Sequence, residues 1–464
     1  MSTAIRRGFG RRHDMDMTSG SIAGNLILFA LPLLIGNLFQ QLYNMVDTWV
    51  IGQTGENGAY AAVGSVGPII NIMIGIFSGL ASGAGVVISR SYGARDEATV
   101  KRAVHTSVIM TLALSAVFTA IGVLGTPWVL RLMLGSEAGD IFPHARTYLT
   151  IYFAGIVGLL VYNMGAGILR AVGDSRHPFY FLLVSAITNI VLDLVFVFVF
   201  DMGVAGVAWA TVIAQALSAL LTVITLFRTT SCVRLSLHSL KMDWGILGNI
   251  VLIGIPAAIQ LALTAFSNVF VQSYIAGVNA DQTAALGGWT SYSKIDQFLF
   301  LPSQSLSLAA TTFVGQNLGA GDTVRARRGI RTAFLMALAV TAPLIGTVML
   351  AAPWLAGIFN PDPAVVEHAT LLLHYITPFY IFTCVNPVIA AGLRGAGNTT
   401  APMIIMLTSF VGFRQLYLFV MSNYISNDLI PVAMGYPAGW AMCCLCITVY
   451  YLCYKFKPAK QKPI

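Results

Sequence analysis

The chain has 464 residues, 57% of them hydrophobic and only 9% charged, with a formal net charge of +8. Soluble domains carry roughly 25% charged residues, so this balance excludes a soluble globular protein and points to a bilayer. The basic excess is no nucleic-acid footprint either, because it is spread between apolar runs and not gathered in one patch.

Residues 1–17 are polar and basic, and the apolar run behind them is too long for a cleaved signal peptide, so no processing is expected. Runs able to span a hydrocarbon core, about 20 residues each, follow at 24–50, 60–88, 103–125, 147–169, 178–200, 204–227, 246–276, 284–313, 331–352, 368–393, 402–422 and 432–454. They predict an all-α polytopic membrane protein with twelve transmembrane helices.

Helix one carries Asn37, Gln40, Asn44 and Asp47 at helical spacing, a polar stripe that faces a cavity and not lipid. Pro32 lies about four turns before Asp47 and removes a helical hydrogen bond, which makes it a hinge candidate; Pro256 repeats the feature in helix seven. In helix two, Gly75, Gly79 and Gly83 form a close-packing face. Helix five places Ser185, Asn189 and Asp193 one turn apart, and Thr211 follows on helix six. Two carboxylates, an amide and a hydroxyl form an oxygen-rich set able to share a proton or cradle a small cation. Charge at membrane depth costs at least about 2.5–3.5 kcal/mol on insertion scales unless it faces protein or water, so Asp47 and Asp193 call for a function.

The connection around 228–245 links an N-lobe, residues 1–230, to a C-lobe, residues 246–464, through a cytoplasmic linker at 231–245. On helix eight, Lys294 and Asp296 are two residues apart and project to different faces. Asp296 is read either as a cavity acid for a cationic substrate or as a structural partner of Lys294 or Arg414, and Arg414 on helix eleven either as a buried ion-pair partner or as a substrate contact. Gln40, Tyr43 and Asn44 join Asp296 as candidate cavity residues, and Tyr43, Trp289, Tyr292 and Phe298 offer π faces suited to flat cations. Cys443 and Cys446 spell C-x-x-C on an apolar helix and read as packing residues, with no disulfide expected.

All but four of the 26 Lys and Arg residues fall before the first run, after the last, or in the even-numbered connections, while the odd-numbered connections hold acids such as Glu56, Asp201 and Asp428. By the positive-inside rule both termini are cytoplasmic. The basic charge thus reads as topology and not as a ligand site. No H-E-x-x-H, P-loop or G-x-S-x-G is present, and of seven histidines only His374 lies well inside a span; an enzyme is not expected.

The two halves repeat at an offset of 224 to 226 residues: Pro32 with Pro256, Asn44 with Asn268, Gly93-Ala94 with Gly319-Ala320, Asp96 with Asp322, Arg170 with Arg394, Gly173 with Gly397. The chain therefore reads as two pseudo-symmetric six-helix bundles. Under the same offset Asp47 meets Val271, Asn189 meets Phe413 and Asp193 meets Tyr417, so the acid site belongs to the first lobe alone. An internal repeat with ionisable residues at depth is the pattern of a secondary transporter.

The run from Pro32 through N-L-F-Q-Q-L-Y-N-M-V-D-T, the N-x-x-x-D of Asn189 and Asp193, the loop ending at Gly315–Ala320, and the pair L-R-A-V-G-D and L-R-G-A-G-N together resemble the multidrug and toxic compound extrusion (MATE) family, in its DinF-like branch. The resemblance implies a multidrug efflux antiporter of the bacterial inner membrane, monomeric and multi-pass, exporting organic, often cationic compounds by alternating access in exchange for H⁺ or Na⁺. It carries the cation-coupling site over to Asp47, Asn189, Asp193 and Thr211, with no cofactor and no metal unless Na⁺ binds there. The residues alone do not choose the ion; two acids close together favour H⁺. The alternative is a lipid-linked saccharide flippase of related architecture, for which Lys294 and Arg414 are few basic residues. The expected partners are drugs or small organic cations and membrane lipid, with no nucleic acid.

Overall fold

A computed structural model describes residues 15–53, 58–134, 141–279 and 281–457. Eleven unbroken helices in it are long and apolar enough to cross a membrane, and a bent pair supplies the twelfth. They are α1 Ile22–Gln53, α2 Ala59–Gly93, α3 Glu97–Leu134, α4 Ile141–Ala154 continued as Ile156–Ala171, α5 Arg176–Val199 and α6 Gly203–Arg228. The second half gives α7 Trp244–Ala276, α8 Gln282–Gly319, α9 Thr323–Phe359, α10 Pro363–Gly395, α11 Thr400–Ile425 and α12 Leu429–Cys453.

Several helices outrun the apolar stretches. The reason is local capping: the Asp96 side chain accepts from Thr99 N–H at 2.9 Å, and its repeat partner Asp322 accepts from Arg325 N–H at 2.7 Å, so α3 and α9 begin with a polar turn in water. The Gly315–Gly319 segment, expected to end a loop, is the last turn of α8. Arg95 (φ 62°) and Gly321 (φ 85°) occupy corresponding left-handed positions ahead of these caps.

The duplication extends to irregularities. α4 breaks at Gly155 with a bend of 49°; a Cβ there would lie 2.2 Å from Val212 Cγ1 of α6. One repeat later, α10 passes through a 3₁₀ turn at Thr377–Tyr380. α5 ends in a π-turn at Val195–Val199, and its counterpart α11 has π-turns at Thr408–Phe413 and Met421–Ile425. Leu124 and Leu350 are 81% and 89% exposed, an outer surface that suits lipid and not water.

Within the first lobe α1 packs on α5 and α5 on α6; within the second, α8 packs on α9 and α10, and α12 on α10 and α11. The lobes join along three seams, α2 with α7, α2 with α8 and α1 with α8. The α2–α7 seam is backbone against backbone: a Cβ on Gly79 would sit 2.2 Å from Ala258 N, and one on Gly83 2.5 Å from the Ile250 carbonyl. Its pseudo-symmetric mate is looser, and Asn37 Nδ2 reaches Ser305 Oγ across it at 3.5 Å. At the end where α2 and α8 terminate, Gly93 abuts the Gln316 carbonyl and Gly319 the Arg90 carbonyl, at 1.9 and 2.0 Å from a Cβ, a self-complementary contact across the pseudo-twofold axis.

A strap seals that same end. Met17, fully buried, donates its N–H to Gln316 Oε1 at 3.0 Å, while Gln316 Nε2 donates to the Ala171 carbonyl at 3.0 Å. Asn317 Nδ2 donates to the Met17 carbonyl at 3.2 Å, and Arg325 Nη2 to the Ser19 and Gly20 carbonyls at 2.8 and 3.0 Å. Asp16 accepts from Arg95 at 2.5 Å. The residues preceding α1 thus tie both lobes together.

Candidate functional site

The π-turn that closes α5 begins at Val195, two residues after Asp193, and the chain folds back through Gly203 into α6, so α5 and α6 lie side by side against α1. Asp47 of α1 and Asp193 of α5 lie close enough for each carboxyl group to act on the other. Asn189, one turn before Asp193, is 2% exposed, Asp193 0% and Thr211 7%. Ser185, a further turn back, donates to the Ala214 carbonyl at 2.8 Å and pins α5 to α6 three residues beyond Thr211.

Among the described residues, polar atoms of this set have no hydrogen-bond partner. Asp47 Oδ1, both carboxyl oxygens of Asp193, Oδ1 and Nδ2 of Asn189, and Thr211 Oγ1 are buried without a hydrogen bond. Leaving one buried donor or acceptor unmade costs about 1–3 kcal/mol, so a concentration of them on four residues marks a place completed by something from solution. Two carboxyl groups at this range favour a proton or a cation between them. The five oxygens also suffice in number for a sodium ion completed by water.

Sequence reasoning missed the ceiling of this space. Tyr148 and Tyr152 of α4 are buried and stack with centroids 6.3 Å apart; Tyr148 lies in the electrostatic field of both acids, and Tyr152 lies beside Gln215 of α6. Their four-residue spacing, and that of Thr211 and Gln215, was visible, but a tyrosine pair in an apolar helix carries no charge to single it out. Tyr43 lies beside Gln40, three residues away on α1. Tyr43 and Asp47 lie deep yet keep partial exposure, as side chains on the wall of an internal space do. Asn44 is exposed on the same helix. Pro32 sits inside α1, which runs on unbroken.

The second lobe is built differently. Val271 is fully buried in apolar packing, and the Tyr417 hydroxyl donates to the Pro431 carbonyl at 3.1 Å. Arg414, expected to form an ion pair, does not: it is 2% exposed, donates to Ser267 Oγ and Asn268 Oδ1 at 2.9 Å each, and lies 4.7 Å from the Tyr436 ring centroid. Neutral oxygens and a π face stand where a carboxylate was expected, and the buried Arg414 Nε is left without a hydrogen bond. Among the described residues no ion pair joins Asp296 to Lys294 or Arg414, so the structural pairing considered for Asp296 is not made. Asp296 is deep and partly exposed, close enough to Tyr292 and Tyr436 to act on both electrostatically. Around it Trp289, Tyr292 and Tyr436 pack with centroids 5.2 and 5.4 Å apart, and Tyr380 meets Trp440 at 5.1 Å.

The MatE family profile matches twice, over residues 32–195 and 256–419, the second match starting 224 residues after the first. The chain belongs to the MatE family. The probable multidrug resistance protein YoeA of Bacillus subtilis (strain 168) is 28% identical over 93% of this chain and 94% of its own length. The probable multidrug resistance protein NorM of Thermotoga maritima is 28% identical over 89% of each chain, and a FAD transporter of Shewanella oneidensis 25% identical over 90% of this chain and 91% of its own. Among solved structures, a MATE family transporter of the MOP superfamily in an outward-facing conformation superposes with a TM-score of 0.88 at 23% identity, covering 95% of this chain and 97% of that one. A MOP superfamily transporter from Pyrococcus furiosus gives 0.89 at 22% identity, with coverage of 94% and 97%. These structures share the fold. The protein is a MatE-family membrane transporter with two six-helix repeats; nothing in these likenesses favours a saccharide flippase.

Proposed function

We propose that this MatE protein, of the DinF-like branch, is an antiporter that exports organic, often cationic compounds across the bacterial inner membrane in exchange for H⁺, with Na⁺ as the second candidate ion. The observation that carries the reading is the cluster of unpartnered buried atoms on Asp47, Asn189, Asp193 and Thr211 around two facing carboxyl groups. A single proton satisfies such a pair, whereas a sodium ion would draw on all five oxygens, so the facing carboxyls favour H⁺.

In this reading the proton is cargo. The pair takes it up when the space is open outward, which removes the repulsion between α1 and α5 and lets the helices draw together. Release to the other side restores the charge and the affinity for a cationic drug. Asn189 and Thr211 orient the shared proton by hydrogen bonding, and Tyr148 and Tyr152 keep bulk water from the pair. Asp296, within its aromatic surround, attracts cationic substrate in the second lobe. By the positive-inside rule both termini are cytoplasmic, so the face sealed by the strap is the inner one. The transporter works as a monomer without a cofactor.

Export of a fluorescent organic cation from proteoliposomes, with ΔpH and ΔNa⁺ imposed separately, tests the proposal. Transport driven by ΔpH at equal Na⁺ is the expected result. Transport that requires a Na⁺ gradient at fixed pH would reassign the ion, and none under either gradient would overturn the antiport reading.

A further inference from the structure

A cavity of about 1130 Å³ lies away from the coupling residues, where the first turns of α3 and the end of α6 meet the linker between the lobes. Its wall carries Lys101, Arg102, Arg234 and Lys241 against one carboxylate, Asp243. Arg102 is engaged by that carboxylate at 3.2 Å. Among the described residues no carboxylate lies within 4.0 Å of Lys101, Arg234 or Lys241. Three cations therefore line one space without an internal counter-charge, and like charges so gathered repel unless an anion joins them.

The walls are fixed. Ser236 N–H donates to His105 Nε2 at 3.2 Å, and His105 Nδ1 lies 2.7 Å from the Lys101 carbonyl; with Nε2 accepting, Nδ1 carries the proton and the imidazole acts as a strut. Asp243 N–H donates to Thr106 Oγ1 at 3.1 Å, and Leu235 N–H to the Leu226 carbonyl at 2.8 Å. The rim, by contrast, is apolar and open: Leu237 is 66% exposed and Trp244 75%. Tryptophan at the end of a spanning helix belongs at the headgroup level of a bilayer, and α7 starts at this Trp244.

A basic hollow with an apolar lip at interfacial depth fits one ligand chemistry, a phosphodiester continuous with hydrocarbon. We propose that this cavity binds the headgroup of an anionic phospholipid of the adjacent leaflet, its phosphate among Lys101, Arg234 and Lys241 and its acyl chains leaving over Leu237 and Trp244. A soluble phosphate compound would meet the same cations but leave the lip in water. Because the cavity is shared by α3, α6 and the linker into α7, the lipid would brace the joint between the lobes. The inference is independent of which ion drives transport and needs only that these helices cross a bilayer.

The test is native mass spectrometry of the purified full-length transporter with dioleoylphosphatidylglycerol, with dioleoylphosphatidylcholine, and with glycerol phosphate alone. The wild type should retain phosphatidylglycerol in preference to phosphatidylcholine, and glycerol phosphate should not displace it. With each interfacial cation worth about fivefold, the triple variant K101Q/R234Q/K241Q should lose on the order of a hundredfold in affinity. The control R328Q/R331Q/K457Q, which removes three exposed cations elsewhere, should change it by no more than about twofold. K101R/K241R, which keeps the charge, should bind as the wild type does and serves as the check on folding together with the melting temperature. Equal retention by the wild type and the triple variant, an equal loss in the control, or displacement by glycerol phosphate would each overturn the proposal, the last in favour of a soluble phosphorylated ligand.

Discussion

An amide in place of a carboxyl keeps the volume and hydrogen-bonding shape of Asp47 or Asp193 but cannot release a proton or neutralise a cation. Asp47→Asn and Asp193→Asn should therefore each reduce ΔpH-driven export at least about tenfold, with expression and melting temperature close to wild type, because loss of a buried charge without loss of volume is mild on packing. Wild-type export by either variant in proteoliposomes would remove the pair from the coupling step. Thr211→Ala deletes one of several oxygens and should slow transport while leaving it responsive to ΔpH and indifferent to Na⁺. Val271→Ala and Tyr417→Phe act on an apolar contact and on a hydroxyl bonded to the Pro431 carbonyl; both should leave ion dependence intact in the same assay. The acids were legible in the sequence because a charge at membrane depth has few innocent explanations. The surroundings of Arg414 were not: a sequence shows that a buried cation needs satisfying, but the choice of Ser267, Asn268 and a Tyr436 ring over Asp296 depends on how α7 and α12 sit around α11.

The glycine spacing in α2 reads directly as a packing face, and its partner α7 is where it finds its match. Gly79→Val would drive a branched side chain into the Ala258 backbone, so overpacking of about 1–3 kcal/mol should appear as a lowered melting temperature in detergent, whereas Gly64→Ala, in open space on the same helix, should not register. The break of α4 at Gly155 was hidden for the opposite reason. A single glycine in an apolar helix is tolerated without consequence, and only the approach of Val212 from α6 gives this one a role. Helix ends likewise lie beyond the apolar runs wherever polar turns continue past the lipid-facing stretch, since hydropathy marks the bilayer and the Asp96 and Asp322 caps mark the helix.

Taken as a whole, the molecule closes one face with a strap whose bonds reach both lobes. Arg325→Ala removes the donors to Met17, Ser19 and Gly20, so a cysteine placed at Ser89, 1% exposed beneath the seal, should react faster with a thiol reagent added from that face in a cysteine-free background; an unchanged rate would count against the strap. The seal should also depend on acid. Burial disfavours charge on Asp16, but bonds from the Thr18 hydroxyl and amide and from Arg95 outweigh it and hold its carboxyl below the usual range. A depressed value in the folded state means the contribution is complete above the ordinary carboxylate pKa of about 3.9 and is lost as pH falls through the lowered one. Labelling at Ser89 should thus stay slow at neutral pH and rise only in strong acid, a dependence that Asp16→Asn abolishes.

The unequal seams make the lobes move less like a pair of jaws than like a door. Where α2 and α7 interlock through Gly79 and Gly83 the edge is hung; where α1 meets α8 through Asn37 and Ser305 it is only latched. A door hung on one side sweeps its free edge farthest, and that edge carries Asp47 on α1 while Val271, its counterpart, stays at the hinge post. Stapling the two edges should then have opposite effects. An Asn37→Cys/Ser305→Cys disulfide should arrest export until reduced, and a Gly75→Cys/Leu261→Cys disulfide across the hung side should let turnover continue. The first lobe would hold the ion because it owns the edge that travels.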